Sequence, residues 1–114
     1  MLIVEDEYFL ADDLARALRE AGAQPVGPVS TVAQAENLLQ KEQLDAAILD
    51  LNLRGESASD LVERLAATDL TCLIVSGYAP EAIPESVSKV PRLEKPISPA
   101  SVIESLSAEL ARTQ

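Results

Sequence analysis

The sequence lacks the residue types on which many catalytic and structural sites depend: its 114 residues include no His, no Trp and a single Cys. Without His there is no imidazole for acid–base catalysis, for Cys/His zinc sites or for carrying a phosphoryl group. The lone cysteine, Cys72, excludes an intramolecular disulfide, so a disulfide-stapled secreted domain is ruled out and a reducing cytoplasm is expected. We expect Cys72 to be a small buried apolar residue.

Basic residues are also scarce: 9 Lys and Arg stand against 19 Asp and Glu, which gives a formal net charge of −10. Such a chain repels a phosphate backbone, so direct nucleic-acid binding is not expected. The first apolar run breaks at Glu5 without a basic leader, and this predicts neither a signal peptide nor a membrane span. Length and a 47% hydrophobic content predict one globular domain over residues 1–114. The excess of carboxylates favours proteins or cations as partners.

Short apolar runs separated by helix-like segments predict buried strands. Three runs are strong candidates, Leu2 to Val4, Ala46 to Leu49 and Cys72 to Val75, and two are weaker, Gln24 to Gly27 and Arg92 to Leu93. Continuous apolar runs, rather than alternating ones, are typical of strands covered on both faces in a parallel sheet.

Four segments have apolar residues at helical spacing. Their predicted buried faces are Phe9, Leu10, Leu14, Ala17, Leu18 and Ala21; Val32, Ala35, Leu38 and Leu39; Leu61, Val62 and Leu65; and Val102, Ile103, Leu106 and Leu110. Gly22 would end the first helix, Ser30 or Thr31 would cap the second, and Ser98 with Pro99 would start the last. Prolines 80, 84 and 91 leave room for one or two helical turns between the fourth and fifth strands.

Strands that alternate with helices predict right-handed βαβ units and a doubly wound α/β sandwich. In such folds ligands bind beyond the carboxyl ends of the strands. The polar residues that follow the predicted strands are Glu5 and Asp6, Asp50, Ser76, and Lys95.

These five residues combine three carboxylates, a hydroxyl and an ammonium, and this set suits phosphoryl transfer. Clustered carboxylates with few protein ligands favour Mg²⁺, which keeps several of its waters. A carboxylate beside Mg²⁺ can attack phosphorus and form an aspartyl phosphate. Lys95 and Ser76 would then bind the transferred oxygens, so the site is interpreted as a phosphoryl acceptor.

Four segments in this order, LIVEDE, LDLNLRGE, LIVSGY and LEKP, resemble the receiver domains of bacterial two-component response regulators, the CheY-like superfamily. The similarity spans essentially the whole chain, and SGYA with LEKP resembles stand-alone alphaproteobacterial receivers. It implies a flavodoxin-like (βα)5 fold with sheet order 2-1-3-4-5 and a short or irregular fourth helix.

The resemblance also implies residue roles. Asp50 is the phosphoacceptor, Glu5 and Asp6 form the acidic pair with Asp6 as the direct Mg²⁺ ligand, and the backbone carbonyl of Asn52 completes the metal site. Ser76 takes the place of the switch hydroxyl. Lys95 contacts the phosphoryl group, and its peptide bond to the next residue, Pro96, is usually cis in the family.

The implied function is phosphoryl transfer from a sensor histidine kinase or a histidine phosphotransfer protein to Asp50, followed by binding to a downstream protein or passage along a phosphorelay. Such a domain is not an enzyme beyond self-phosphorylation and slow autodephosphorylation. The alternatives are a receiver excised from a larger regulator or hybrid kinase, a degenerate receiver that only binds, and a small Mg²⁺-dependent phosphatase. The phosphatase is disfavoured because Asn52 stands where a general acid would be needed.

Ordinary structural roles compete with each assignment. Taken alone, Asp6 is more typical of the cap of a helix that begins near Tyr8. Asp50 and Asn52 are typical of turn residues, and Lys95 is typical of a surface lysine.

Three departures from the family pattern stand out. Arg92 occupies the position of the usual inward-turning aromatic residue, and Arg54 that of a frequent proline. The segment before Lys95 is short and broken by prolines, which alters the face that commonly exchanges partners or dimerises. Tyr78, two residues after Ser76, is placed to cover Asp50 in part or to shield the loop.

Overall fold

The computed structural model describes residues 1–77 and 82–112. Five parallel strands form one sheet: β1 (Leu2–Val4), β2 (Val26–Val29), β3 (Ala46–Asp50), β6 (Thr71–Ser76) and β7 (Arg92–Glu94). Their spatial order is β2-β1-β3-β6-β7. A separate antiparallel hairpin, β4 (Asn52–Leu53) with β5 (Glu56–Ser57), follows β3. With this hairpin set aside, the order is the expected 2-1-3-4-5 of a flavodoxin-like fold.

In the described part of the chain, four α-helices accompany the sheet: α1 (Tyr8–Glu20), α2 (Val32–Lys41), α3 (Ser59–Ala66) and α4 (Pro99–Arg112). Between β6 and β7 the described residues include the 3-10 turn Glu85–Val87 and form no α-helix. Residues 78–81, which include Pro80, lie outside the described residues. Within the part that is described, the expectation of a short or irregular fourth helix is confirmed.

The central strands are buried on both faces, as their continuous apolar runs predicted. Successive side chains alternate between two cores because the strand repeat is two residues. One core packs under α2, α3 and the 3-10 turn and contains Leu2, Val4, Ala47, Leu49, Cys72 and Ile74. The other packs under α1 and α4 and contains Ile3, Ala46, Ile48, Leu73 and Val75. Cys72 is buried and free, which confirms its predicted role.

Two predicted helix caps are present. The Thr31 hydroxyl accepts a hydrogen bond from the backbone N–H of Gln34 at 3.1 Å, so Thr31 rather than Ser30 caps α2. The Ser98 hydroxyl accepts from the N–H of Ser101 at 3.2 Å, directly before Pro99 begins α4. Each cap satisfies an amide that the helix itself leaves without a partner.

The predicted buried face of α1 is wrong at its ends. Phe9 is 81% exposed, because it lies about 140° around the helix axis from the buried Leu14, at about 100° per residue. Ala21 is exposed at the C-cap, and the buried face consists of Ala11, Leu14, Ala15 and Leu18.

The second strand begins two residues later than predicted. Its register with β1 pairs Val26 with Leu2 and Val29 with Val4, and both valines pack on the core under α2. Pro28 is tolerated within this strand because β2 is at the edge of the sheet.

Because the five strands run parallel, the polar residues that end them lie at one edge of the sheet. Asp50 is level with Val75 on β6, and Ser76 is level with Glu94 on β7, directly before Lys95. Val4, directly before Glu5, is level with Leu49. Among the described helices, none has the length and apolar character that crossing a bilayer requires.

Candidate functional site

An acidic cluster lies at the carboxyl edge of the sheet, between the end of β1 and the end of β3. Glu5, Asp6 and Asp50 each place a carboxylate oxygen within 4.8 Å of the others. Glu5 is 3% exposed and Asp50 is 5% exposed. The three carboxylates predicted from the sequence are therefore brought together, two of them almost out of contact with water.

Lys95 provides the positive charge inside this cluster. Its Nζ lies 3.0 Å from Asp50 Oδ2 and 3.1 Å from both Glu5 Oε2 and Glu7 Oε1. Burial alone would lower the pKa of Lys95, but hydrogen bonds to Asp50, Glu5 and Glu7 outweigh it and hold this pKa above its usual range. Lys95 is thus a charged, largely buried group, and the alternative of an ordinary surface lysine is wrong.

The backbone aims Lys95 at the cluster. Its N–H donates to the backbone carbonyl of Ser76 at 2.8 Å, which extends the pairing of β6 with β7 by one step. The Lys95–Pro96 peptide bond is cis, as the resemblance implied.

The position of Glu5 in the cluster disfavours its negative charge. Burial raises its pKa to about 7, the Asp50 charge adds to this rise, and the Glu7 N–H and Lys95 oppose it. Glu5 Oε2 accepts the Glu7 N–H at 3.0 Å. Glu5 Oε1 lies 3.0 Å from Lys95 Nζ as an ion pair, yet it is buried and accepts no well-formed hydrogen bond from the described residues.

Asp6 is held by the β4–β5 hairpin. Its Oδ2 accepts the backbone N–H of Arg54 at 2.9 Å. Helix α1 is instead capped by Glu7, which makes no side-chain capping hydrogen bond. The interpretation of Asp6 as a helix cap is therefore wrong.

The hairpin is tied to Asp50 as well. Asp50 Oδ1 accepts the Asn52 N–H at 3.1 Å, and Asn52 Oδ1 accepts the Gly55 N–H at 2.9 Å. Arg54 and Gly55 have φ of 53° and 87°, the two positive values that a tight two-residue hairpin turn requires. Asp50 itself is a buried strand residue rather than a turn residue.

Ser76 ends β6 and is 1% exposed. It lines the same cleft as Asp50, Asn52 and Lys95. Arg92, which replaces the usual aromatic residue, is half-buried on β7 opposite Ile74. The predicted covering role of Tyr78 falls on a residue outside the described part of the chain.

Glu7 and the hairpin were not predicted from the sequence. Glu7 follows the acidic pair directly, so its proximity to the sheet edge was visible, but its contact with Lys95 depends on side-chain direction. The hairpin had a weak signal, because Arg54 is followed by Gly55 and a residue followed by Gly is common in two-residue turns.

The donor set fits a hard divalent cation. The cluster offers carboxylate oxygens only, and Glu5 Oε1 is a buried acceptor, without a well-formed hydrogen bond from the described residues, that a positive group would satisfy. These are the features expected of an acidic Mg²⁺ pocket.

Solved structures with the same architecture are receiver domains. SdrG from Sphingomonas melonis is 38% identical, with a TM-score of 0.81 over 96% of this chain and 93% of that one. The receiver domain of PhyR from Erythrobacter litoralis is 28% identical, with a TM-score of 0.82 over 96% and 88%. A Burkholderia pseudomallei response regulator, solved with a phosphorylated aspartic acid and a calcium ion, is 25% identical, with a TM-score of 0.82 over 99% and 69%.

A comparison with curated protein sequences gave no significant match. The family model of the response regulator receiver domain, however, matches residues 1–107. Receiver domains of this family bind Mg²⁺ at an acidic pocket, interact with histidine kinases or phosphotransfer proteins and are generally not true enzymes. The matched segment includes the whole acidic cluster, Ser76 and Lys95, and the chain belongs to the response regulator receiver domain family, with a phosphoacceptor function in two-component signalling.

Proposed function

We propose that Asp50 is the residue of this receiver that accepts the phosphoryl group. The observation that carries the assignment is its environment: a carboxylate 5% exposed at the end of β3, with Oδ2 3.0 Å from Lys95 Nζ. The relative from Burkholderia pseudomallei was solved with a phosphorylated aspartic acid, which supports an aspartate as acceptor.

In the proposed step a carboxylate oxygen of Asp50 attacks the phosphorus of a phosphohistidine. An O–P bond forms as the N–P bond breaks, and the imidazole leaves with the bonding electron pair. Lys95 stabilises the negative oxygens of the transferring group, and the Ser76 hydroxyl donates to another of them. Later hydrolysis of the acyl phosphate slowly returns Asp50 to its free form. The phosphorylated state therefore has a limited lifetime, and the domain acts as a switch rather than as an enzyme.

Glu5, Asp6, Asp50 and the backbone carbonyl of Asn52 would hold Mg²⁺ in this proposal. The bound ion supplies positive charge where the phosphoryl oxygens and the carboxylates meet. The chain's own contribution is to hold those ligands: Arg54 N–H fixes Asp6, and Asn52 N–H fixes Asp50.

The partners follow from the chemistry and the charge. These 114 residues contain no His, so the phosphohistidine lies outside them, on a sensor histidine kinase or a histidine phosphotransfer protein, and the domain acts in the cytoplasm. The output is binding of a downstream protein or transfer to a relay partner. A net charge of −10 disfavours direct binding to nucleic acid, and no membrane contact is proposed.

The phosphatase alternative is not favoured by the site. The side chain of Asn52, at the position of a general acid, is committed to the hairpin through the Gly55 N–H. An amide in that position does not donate and recover a proton at neutral pH.

The test is labelling with acetyl phosphate and Mg²⁺. Asp50→Asn should abolish labelling, whereas Asp45→Asn, at the exposed opposite end of β3, should leave it unchanged. Phosphorylation is followed by mass spectrometry of the intact protein. Undiminished labelling of Asp50→Asn, or equal loss in both variants, would contradict the assignment.

A further inference from the structure

All three N–H groups of the Lys95 ammonium are engaged in hydrogen bonds. It carries three N–H donors, and three carboxylates accept from it: Asp50, Glu5 and Glu7. Any oxygen of a phosphoryl group on Asp50 that binds Lys95 must therefore replace one of these three contacts.

The three carboxylates differ in how easily they leave. The side chains of Glu5 and Asp50 are 1% and 6% exposed, so neither can turn to water in place. The Glu7 side chain is 59% exposed. Releasing Glu7 returns a carboxylate to solvent, whereas releasing Glu5 leaves a buried charge uncompensated. Asp50 keeps its negative charge, and with it the contact to Lys95, until its oxygen bonds to the incoming phosphorus.

Glu7 also stands apart from the metal cluster and from the helix. The group of carboxylates close enough to share a cation is Glu5, Asp6 and Asp50, without Glu7. Glu7 is the N-cap of α1, yet its side chain makes no capping hydrogen bond and extends to Lys95 instead. Its carboxylate therefore has one resolved partner among the described residues, the Lys95 ammonium.

We propose that Glu7 is a positioning residue that competes with the phosphoryl group for Lys95; this rests on the proposed function of Asp50. In the unphosphorylated domain Glu7 accepts one of the three hydrogen bonds that the Lys95 ammonium donates. Phosphorylation displaces Glu7 to water, and Lys95 then donates to a phosphoryl oxygen. Glu7 thus lowers both the rate of phosphorylation and the stability of the phosphorylated state, because its contact must be broken and its negative charge lies near the incoming oxygens.

The exposure of the Glu7 side chain limits how strongly Glu7 affects phosphorylation. An ion pair with one solvated partner contributes little, so we expect Glu7→Gln to raise the acetyl phosphate rate constant and the beryllofluoride affinity about two- to fivefold. Glu7→Ala should raise them at least as much, because a glutamine oxygen can still accept from Lys95 whereas a methyl group cannot.

The comparison variant is Glu20→Gln, which removes the same charge from the exposed far end of α1. It should behave as the wild type. A second readout separates competition from a structural effect: the advantage of both Glu7 variants should shrink at molar salt, since a partly exposed ion pair is screened.

The outcomes are distinguishable. If the Glu7 variants match Glu20→Gln, or phosphorylate more slowly than the wild type while unfolding at the same temperature, Glu7 does not compete and the inference is overturned. If the wild type itself neither accepts a phosphoryl group nor binds beryllofluoride, the proposed function fails instead.

Discussion

The charged groups at the two ends of the parallel sheet differ in their exposure to solvent. At the amino end, Asp45 approaches the ammonium of Met1 at 3.9 Å, and its side chain is 71% exposed. At the carboxyl end, the side chain of Asp50 on β3 is 6% exposed and shares Lys95 with Glu5. Solvent screens the ion pair of Asp45 with Met1, whereas the buried negative charges of Glu5 and Asp50 are compensated by Lys95.

This contrast shows where the fold gives up stability for chemistry. Buried like charges are costly, and nothing in the packing of either core requires them at the end of β3. An acidic pocket that waits for a cation and a phosphoryl group does require them, because the cation brings the missing positive charge and the phosphoryl group needs an acceptor.

The largest expected effect comes from removing the buried cation. Lys95→Met should lower the free energy of unfolding by about 3–5 kcal/mol in Mg²⁺-free buffer at pH 8, because Glu5 and Asp50 lose their shared partner. The matched change Lys89→Met, on an exposed lysine, should alter it by less than about 0.5 kcal/mol. Urea denaturation measures both; equal values would mean that the two ends of the sheet do not differ.

A smaller effect concerns pH. The folded-state pKa of Glu5, about 7, lies above its value of 4.5 in the unfolded chain. Its contribution to stability is therefore complete below pH 4.5 and is lost as the pH rises through 7. At about 1.4 kcal/mol per pKa unit, the loss is at most about 3–4 kcal/mol.

Glu5→Gln should remove this dependence and make the metal-free domain more stable than the wild type at pH 8. Glu42→Gln, an exposed carboxylate near the amino end, should leave the pH profile as it is. Urea unfolding at pH 5 and pH 8 with a chelator gives the comparison. An unchanged slope in Glu5→Gln would place the source of the pH dependence elsewhere.

The smallest effect uses two glycines with the same φ at opposite ends of the molecule. Gly22, after α1, and Gly55, in the hairpin, both have φ of 87°, and a Cβ methyl group at either position would meet nothing within 4 Å. Gly→Ala should cost about 1 kcal/mol at each, from backbone strain alone.

Only the hairpin substitution should reach the metal site. Gly55 donates to Asn52, and its neighbour Arg54 donates to Asp6, so Gly55→Ala should weaken Mg²⁺ binding several-fold. Gly22→Ala should not change it. Titration calorimetry with Mg²⁺ measures the affinity; equal affinities in the two variants would show that the hairpin does not position Asp6.

The edge of the sheet that carries the site could be predicted from the pattern of strands and helices, and the order of the strands from the resemblance to receiver domains. Buried parallel strands appear as continuous apolar runs, and their polarity forces Asp50, Ser76 and Lys95 to one edge. Those placements depend on the strands running parallel, which the alternation of strands with helices predicts.

Other features were set by contacts that no local pattern encodes. The start of β2 was shifted by its register against β1, and Phe9 was turned outward by the position at which α1 begins. Glu7 was missed because its role arises from a side chain crossing to Lys95, 88 residues away in the sequence. The competition among the three carboxylates likewise follows from their different exposures, which only the packed structure provides.

The most direct test of Asp50 as phosphoacceptor is to locate the phosphoryl group in the wild-type chain. The domain is phosphorylated with acetyl phosphate and Mg²⁺, reduced with borohydride to convert the aspartyl phosphate to homoserine, digested, and sequenced by mass spectrometry. We predict homoserine at Asp50 and at no other carboxylate, and its formation should require Mg²⁺. Homoserine at another aspartate, with Asp50 unmodified, would contradict the assignment.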